Sequence, residues 1–483
     1  MNTSFPLTKK IGLFLGPILF FIFLSIPVIP PLNPESQKVI AIASLMISWW
    51  ISEAVELPVT ALVPIVLLPF TGVLDIKEAT APYSSPIVFL FMGGFVVALG
   101  MEKYQLHKRI ALNIVSFTGT NANGIILGFM LATAFLSMWI SNTATTVMML
   151  PIAVSVISLL SDQTDPESKG LRYFSLAIML GIAYSANVGG ISTLIGTPPN
   201  SVFAGFIYES MGFEISFLNW MLMAFPFTTV LLFITYFFLV KILYPNKLGH
   251  FSGSAEVIRA EKQKLGVLKA GEKRVLIVFI CTAVLWISRS YINPFIPFVK
   301  LTDAGIAMTG ALALFLFPIN YKTGEFVLEW KDTTKLPWGI LILFGGGLTL
   351  AAGMEKTGII DLIGESVADS GHMGNLMVIS ILITIMLFMT ELMSNVALVT
   401  ILLPVVAGVA KGLDIDPLLV AIPVTMASSC AFMLPMATPP NAIVFASGHI
   451  KVSQMVKAGI YLNIISVILL IVLSQTLVPM IFS

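Results

Sequence analysis

Fifteen times along the chain an apolar run approaches the length that crosses a bilayer. The stretches lie near 12–28, 38–55, 58–74, 84–101, 123–140, 144–160, 173–190, 217–241, 274–289, 303–318, 337–353, 375–393, 397–410, 417–434 and 459–481. A hydrocarbon layer about 30 Å thick takes about 20 helical residues to span, so the runs predict an all-α membrane protein. Composition agrees: 57% of residues are hydrophobic and 11% charged, against roughly 25% charged in soluble domains. The 26 Lys+Arg and 25 Asp+Glu leave no basic surplus for nucleic acid. Cys281 and Cys430, both in apolar runs, supply neither a disulfide framework nor a CxxC metal site. A cytosolic enzyme, a secreted disulfide scaffold and a nucleic-acid binder are thereby excluded. The first run lacks a small-x-small cleavage site and continues into Ile29-Pro30-Pro31, unlike a signal peptide.

Two pairs of runs, 123–140/144–160 and 375–393/397–410, are each interrupted by a short polar break. Each pair could be one kinked span, two spans or a re-entrant hairpin, and charge arbitrates. The segment Lys241 to Arg274 holds eight Lys/Arg and is cytoplasmic by the positive-inside rule. With Lys9 and Lys10 also inside, an even number of crossings must separate the two. Counting each pair as a hairpin gives six crossings before the basic segment and five after it, eleven in all. The N-terminus is then cytoplasmic and the C-terminus outside, with 18 of the 26 Lys/Arg inside. Segments 103–118 and 355–369 read as interfacial amphipathic helices, and Trp49, Trp50 and Trp338 as interfacial anchors.

One register aligns the chain with itself. At an offset of 253 (91 to 344), Phe91, Gly93 and Gly94 meet Phe344, Gly346 and Gly347, and Gly100-Met101-Glu102-Lys103 meets Gly353-Met354-Glu355-Lys356. Ser141-Asn142 then meets Ser394-Asn395, and Leu150-Pro151 meets Leu403-Pro404. Further on the offset is 241 (197 to 438), pairing Thr197-Pro198-Pro199-Asn200 with Thr438-Pro439-Pro440-Asn441. Five crossings separate residues 101 and 354, so the halves are expected to lie upside down to each other. Inverted repeats with broken helices at the midplane characterise secondary transporters.

The motifs suit ions. Ser141-Asn142-Thr143 and Ser394-Asn395-Val396 fall at the hairpin breaks, where Asn and Ser cap helices and free N–H groups favour an anion. Each TPPN removes two amide donors and is expected to leave carbonyls unpaired for a small cation, which Gly196 and Ala437 would admit closely. Lys, Arg, Asp and Glu are missing from 120–160, 173–208 and 417–450, and the second hairpin contributes only Glu391 before its break. An anion there has no Arg clamp and needs dipoles and bound cations to neutralise it. His107, His250, His372 and His449 lie in loops or at helix ends, away from any proton relay. Glu391 is read as held structurally near its helix end, with proton carriage as the alternative.

The paired SN and TPPN motifs, with the run Ser428-Ser429-Cys430-Ala431-Phe432-Met433-Leu434-Pro435-Met436-Ala437 that leads into the second TPPN, resemble the divalent anion sodium symporter family over about 37–481. The second-half run is most similar to its di- and tricarboxylate branch. The resemblance implies an elevator-type homodimer in which scaffold helices carry a mobile transport domain. Carried over by motif, substrate contacts fall on Asn142, Thr143, Ser394, Asn395, Val396, Thr438 and Pro439. A first sodium site falls on Ser137, Ser141, Asn142 and Gly196, and a second on Thr390, Met393, Asn395 and Ala437. Many relatives have Thr where this chain has Val396, so one hydroxyl is absent.

The repeat and the resemblance together divide the chain into 1–36 (first helix), 37–118 (scaffold), 119–210 (first hairpin and broken helix), 211–273 (connecting helix and loop), 274–370 (scaffold), 371–450 (second hairpin and broken helix) and 451–483 (last helix). The resemblance implies a sodium-coupled importer of succinate, malate or fumarate in the inner (plasma) membrane, with Na+ as coupling ion and membrane lipid around it. The rivals are a citrate or sulfate symporter, a sodium-independent dicarboxylate exchanger, a channel, and a membrane enzyme, for which the sequence supplies no charged constellation in the core.

Overall fold

The computed structural model describes residues 6–482 apart from 29, 120, 164–167, 249–251, 297, 321 and 370–373. His250 and His372 therefore lie outside the described residues. The chain is mostly helical. Among the described residues nine helices are long and apolar enough to cross a membrane, and five further apolar helices are shorter.

Helix α1 (Leu7–Ser25) packs on α2 (Pro34–Ser52), whose Gln37 Nε2 donates to the carbonyls of Phe23 (2.6 Å) and Ile26 (2.7 Å). The apolar stretch at 58–74 is two helices, α3 (Leu57–Thr60) and α4 (Val63–Phe70), because Pro64 in the first turn of α4 starts a new helix rather than extending the old one. After α5 (Ile76–Thr80) come α6 (Pro86–Lys103), α7 (Leu106–Phe117) and the first hairpin, α8 (Ala122–Ser137) and α9 (Asn142–Gln163). Next are α10 (Lys169–Ile191), α11 (Pro198–Met211), α12 (Phe217–Phe237), α13 (Ser252–Leu265), α14 (Ala270–Ile292) and α15 (Asp303–Leu316).

The series then recurs with α16 (Trp338–Lys356), α17 (Ile359–Asp369), and the second hairpin, α18 (Asn375–Met389) and α19 (Asn395–Gly412). It continues with α20 (Pro417–Ala427) and α21 (Pro439–Ala446), and α22 (Val452–Gln475) and α23 (Leu477–Phe482) end the described chain. The starts of α7, α8 and α9 lie 253 residues before those of α17, α18 and α19, and the start of α11 lies 241 before that of α21. The recurrence is thus one of helix ends as well as of letters.

Two expectations need correction. The chain is not wholly helical: Pro318 ends the helical path, and β1 (Pro318–Asn320) pairs antiparallel with β2 (Glu325–Phe326) across a turn in which Gly324 takes φ +66°. Trp50 is not an interfacial anchor. It is 1% exposed, with its indole N–H 3.3 Å from the Leu57 carbonyl, because the α2–α3 turn folds back over it. Trp338, 39% exposed, remains at the surface.

The two series pack on each other reciprocally. A Cβ on Gly93 of α6 would come within 2.5 Å of the Ala307 carbonyl carbon of α15, and one on Gly346 of α16 would strike the backbone of Ala61. Between them Phe91 and Phe344, partners at the 253 offset, meet edge to face with ring centroids 5.5 Å apart. Backbones approach this closely only over small residues. Gly93→Leu and Gly346→Leu should each destabilise the protein by about 1–3 kcal/mol through overpacking. Gly374→Ala, with nothing within 4 Å of the added carbon, should leave stability unchanged. Thermal unfolding in detergent measures this, and a parental melting point for both leucine variants would refute the contact.

Candidate functional site

Each hairpin tip is a serine-capped helix start. Ser141 Oγ accepts from Ala144 N (3.1 Å) and Ser394 Oγ from Ala397 N (3.5 Å), so α9 and α19 each begin with a capped first turn. Thr197 and Thr438 precede α11 and α21, whose first two residues are both prolines. The prolines therefore occupy positions where an amide hydrogen would be spare anyway, and they initiate half-helices.

The carbonyls expected to be left unpaired are in large part satisfied. Asn200 Nδ2 donates to Gly190 O (3.3 Å), Ile191 O (3.3 Å) and Thr193 O (2.8 Å). Asn441 Nδ2 donates to Ala431 O and Leu434 O, both at 3.1 Å. The acceptors at 190/193 and 431/434 are again 241 apart, so the last letter of TPPN ties the segment before the motif in both copies. Buried carbonyls are rarely left without donors, and here the side chain of the motif itself provides them.

What remains uncommitted is oxygen. In the first half a Cβ on Gly196 would lie 2.5 Å from Gly190 O and 2.9 Å from Ser137 O, and one on Gly190 would lie 2.6 Å from Asn142 Oδ1. The absence of side chains at these two glycines lets Ser137, Asn142, Gly190 and Gly196 converge. Ser137 Oγ, Asn142 Oδ1 and Thr145 Oγ1 are buried without hydrogen-bond partners. In the second half Thr390 Oγ1 lies 2.7 Å from both Asn395 Oδ1 and Ser428 O. One hydroxyl hydrogen cannot serve both acceptors fully, so this cluster too is rich in lone pairs. Hard cations take oxygen ligands, and neither cluster holds a competing ammonium or guanidinium. Among the described residues no group of three His, Cys, Asp or Glu could hold a metal ion.

The residues carried over by motif fall in two layers. Ser137, Gly196, Thr390 and Ala437 are buried. Above them Thr143 and Pro439 are exposed and Asn142, Ser394, Asn395 and Val396 half-buried, while Thr438 is 5% exposed. Ser141 is exposed at the tip and engaged as a cap, its carbonyl accepting from Thr145 N (3.0 Å). Met393 is half-buried at the second tip.

Residues that the motifs did not single out join the halves. Asn187 of α10 donates to Ala431 O (3.2 Å), Thr438 Oγ1 (3.1 Å) and Asn441 Oδ1 (3.4 Å), binding the first broken helix to the second TPPN. Its one sequence signal is an amide inside an otherwise apolar run. Glu391, 3% exposed, accepts from the amides of Phe432 (2.8 Å), Met433 (2.9 Å) and Leu434 (3.0 Å) and from Asn463 Nδ2 (2.8 Å). It holds the chain before the second TPPN, in keeping with the structural reading. His107, in the first turn of α7, is buried with Nδ1 3.0 Å from Met101 O. Burial lowers its pKa below the ordinary 6.5, so the ring is neutral at neutral pH.

Hairpin tips facing broken helices, with buried neutral oxygen clusters at both, define a secondary transporter of the membrane. Residues 7–483 match the family model described as sodium:sulfate symporter transmembrane region, and the chain belongs to that family. It is 38% identical over 484 residues to the sodium-dependent dicarboxylate transporter SdcS of Staphylococcus saprophyticus, covering 99% of this chain and 93% of that one. The SdcS of Staphylococcus aureus strain USA300 is 36% identical over 481 residues, covering 99% and 92%. Two solved structures share the fold at 12% identity. One is Neisseria gonorrhoeae MtrF, of a class of antimetabolite efflux pumps (TM-score 0.55, covering 98% of this chain and 95% of that one). The other is the Alcanivorax borkumensis YdaH transporter (TM-score 0.58, covering 98% and 99%).

If the two clusters bind sodium, sodium must stabilise the folded protein. A ligand held well above its dissociation constant adds about 2–3 kcal/mol. Replacing choline chloride by sodium chloride should raise the melting point, Ser137→Ala and Thr390→Ala should each reduce the increment, and the double variant should abolish it. An undiminished increment in the double variant would place sodium elsewhere.

Proposed function

We propose that the chain is a sodium-coupled symporter that imports C4 dicarboxylates such as succinate, malate and fumarate. Transport, with no catalytic residue, is what the family and its relatives' names support. The observation that carries the reading is the pairing of a half-exposed Ser-Asn tip with a buried oxygen cluster in each half. Sodium would take Ser137, Ser141, Asn142 and Gly196 in the first half, with the Gly190 carbonyl beside Gly196. In the second it would take Asn395 Oδ1 and Ser428 O from the Thr390 proton, with Ala437 and Met393 beside it. Two cations beneath the tips would then offset the charge of a dianion lying against Asn142, Thr143, Ser394, Asn395, Val396, Thr438 and Pro439. Two donor groups for two carboxylates disfavour a monocarboxylate, which leaves one group unpaired.

An elevator motion fits this arrangement. Residues 119–210 and 371–450 form the moving part, 37–118 and 274–370 the scaffold of a homodimer, 211–273 the connector, and 1–36 and 451–483 the flanking helices. Eleven crossings and two re-entrant hairpins, in an inverted repeat, place the N-terminus in the cytoplasm and the C-terminus outside a plasma membrane. A two-fold relation between the halves is supported by the contact of Phe91 with its own counterpart Phe344, since only residues near a two-fold axis can meet their mates; the odd number of crossings between the halves is what makes it an inversion. The reciprocal Gly93–Ala307 and Gly346–Ala61 contacts support the two-fold relation as well.

A sulfate symporter is the second reading, favoured by the description of the matching family. Citrate transport and sodium-independent dicarboxylate exchange complete the alternatives. Uptake of labelled succinate into proteoliposomes separates them. Accumulation is expected only under an inward sodium gradient, and Asn142→Ala and Asn395→Ala should each abolish it. Uptake without sodium that requires internal dicarboxylate would make the protein an exchanger. Sodium-driven uptake of sulfate or citrate but not succinate would replace the substrate.

A further inference from the structure

A cavity of about 710 Å³ lies away from the hairpin tips, between α7, α13 and the turn at 265–267. Its interior is apolar where Val115 of α7 faces Ile258 of α13, both buried. Its wall is held by Arg109, which grips Glu272 through Nε (2.8 Å) and Nη2 (3.1 Å). The same guanidinium donates to the carbonyls of Gly266 (3.0 Å) and Leu265 (3.3 Å). Arg259 and Lys262 also line it, and among the described residues neither forms an ion pair. Their neighbours differ: Lys108 and Lys264 are both ion-paired with Glu261, at 2.8 Å and 2.6 Å.

The surroundings are unlike a surface bathed in water. Val267, which lines the cavity, and Phe117, at the end of α7, are each 87% exposed, and Leu268 is 43% exposed. Such side chains in one place are at home in the boundary between headgroups and acyl chains. The position agrees, since α6 runs directly into α7, and α13 is bracketed by the candidate spans Phe217–Leu243 and Ala270–Phe295. The segment is also the basic one expected to face the cytoplasm, where anionic lipids concentrate.

We infer that this cavity binds an anionic phospholipid, its phosphate between Arg259 and Lys262 and its acyl chain over the exposed Val267 and Phe117, with Val115 and Ile258 forming the apolar floor. Two unpaired cations select the phosphate, and Arg259 can grip it with two parallel N–H bonds. The apolar interior and the exposed Val267 and Phe117 distinguish a lipid from a free phosphate, which would leave them uncovered. Because α7 packs on α8 and α13 on both α7 and α9, the bound lipid braces the base of the first hairpin.

The test reads binding and so does not depend on the identity of the transported anion. Purified full-length protein is titrated in detergent with phosphatidylglycerol, phosphatidylcholine or inorganic phosphate, and followed by native mass spectrometry and thermal unfolding. Phosphatidylglycerol should be retained in preference to phosphatidylcholine and should raise the melting point. Arg259→Ala with Lys262→Ala should weaken its retention roughly thirtyfold, and Arg259→Lys with Lys262→Arg should preserve it. Equal retention of the two lipids, or undiminished phosphatidylglycerol binding by the double alanine variant, overturns the site. Inorganic phosphate producing the whole thermal effect overturns the lipid in favour of a soluble anion.

Discussion

A chain that breaks its helices within a bilayer must find partners for the backbone groups it frees, because no water is there to supply them. Here the partners are the amides of Asn200 and Asn441, each reaching back across its own Thr-Pro-Pro turn to carbonyls of the segment that leads into it. Everything at the candidate site depends on these two ties. They fix the angle at which each half-helix restarts, and that angle brings Gly196 onto Gly190 and Ser137 in the first half. They also spend amide donors on some carbonyls while leaving side-chain oxygens such as Asn142 Oδ1 uncommitted. A neutral cluster with surplus lone pairs has the ligand chemistry that a hard cation takes.

The halves share this plan but differ in what secures it. In the first, Thr193 Oγ1 hydrogen-bonds the Met138 carbonyl at 2.5 Å. In the second, the residue equivalent to Met138 is Glu391, whose carboxylate gathers three successive amides and the Asn463 side chain. Four donors to one buried carboxylate hold the second break more firmly than one hydroxyl holds the first. The oxygen clusters differ correspondingly: Ser137 Oγ is without a partner, whereas Thr390 Oγ1 is engaged by Asn395 and Ser428. The two clusters thus differ in commitment: among the described residues Ser137 Oγ is open, whereas the Thr390 hydroxyl is already hydrogen-bonded.

Much of this was legible in the chain. Proline pairs, capping serines and small residues are local features whose physical effects are short-range, so the hairpin tips and half-helix starts could be read from their letters. The same local reasoning misjudged the TPPN carbonyls, since it counted the donors that proline removes but not the donor that Asn200 or Asn441 returns from two residues further on. It placed Trp50 at the interface because indole rings favour that region, whereas the fold turns the ring inward against Leu57 O. It gave no role to Asn187, whose acceptors lie about 250 positions away along the chain.

The sequence by itself determined that the protein lives in a membrane, that it is built of two related halves, and which short motifs interrupt its helices. Length of apolar run, repeated motifs and proline chemistry are properties of segments, and they survive without knowledge of neighbours. Only the tertiary structure decided that Asn187 joins the halves, that Glu391 clamps the second break and, among the described residues, which oxygens are left free and that Arg259 and Lys262 form no ion pair beside an apolar hollow. Hydrogen-bond satisfaction and charge pairing depend on what lies across a gap of a few ångströms, and that distance is set by packing between segments far apart in the chain.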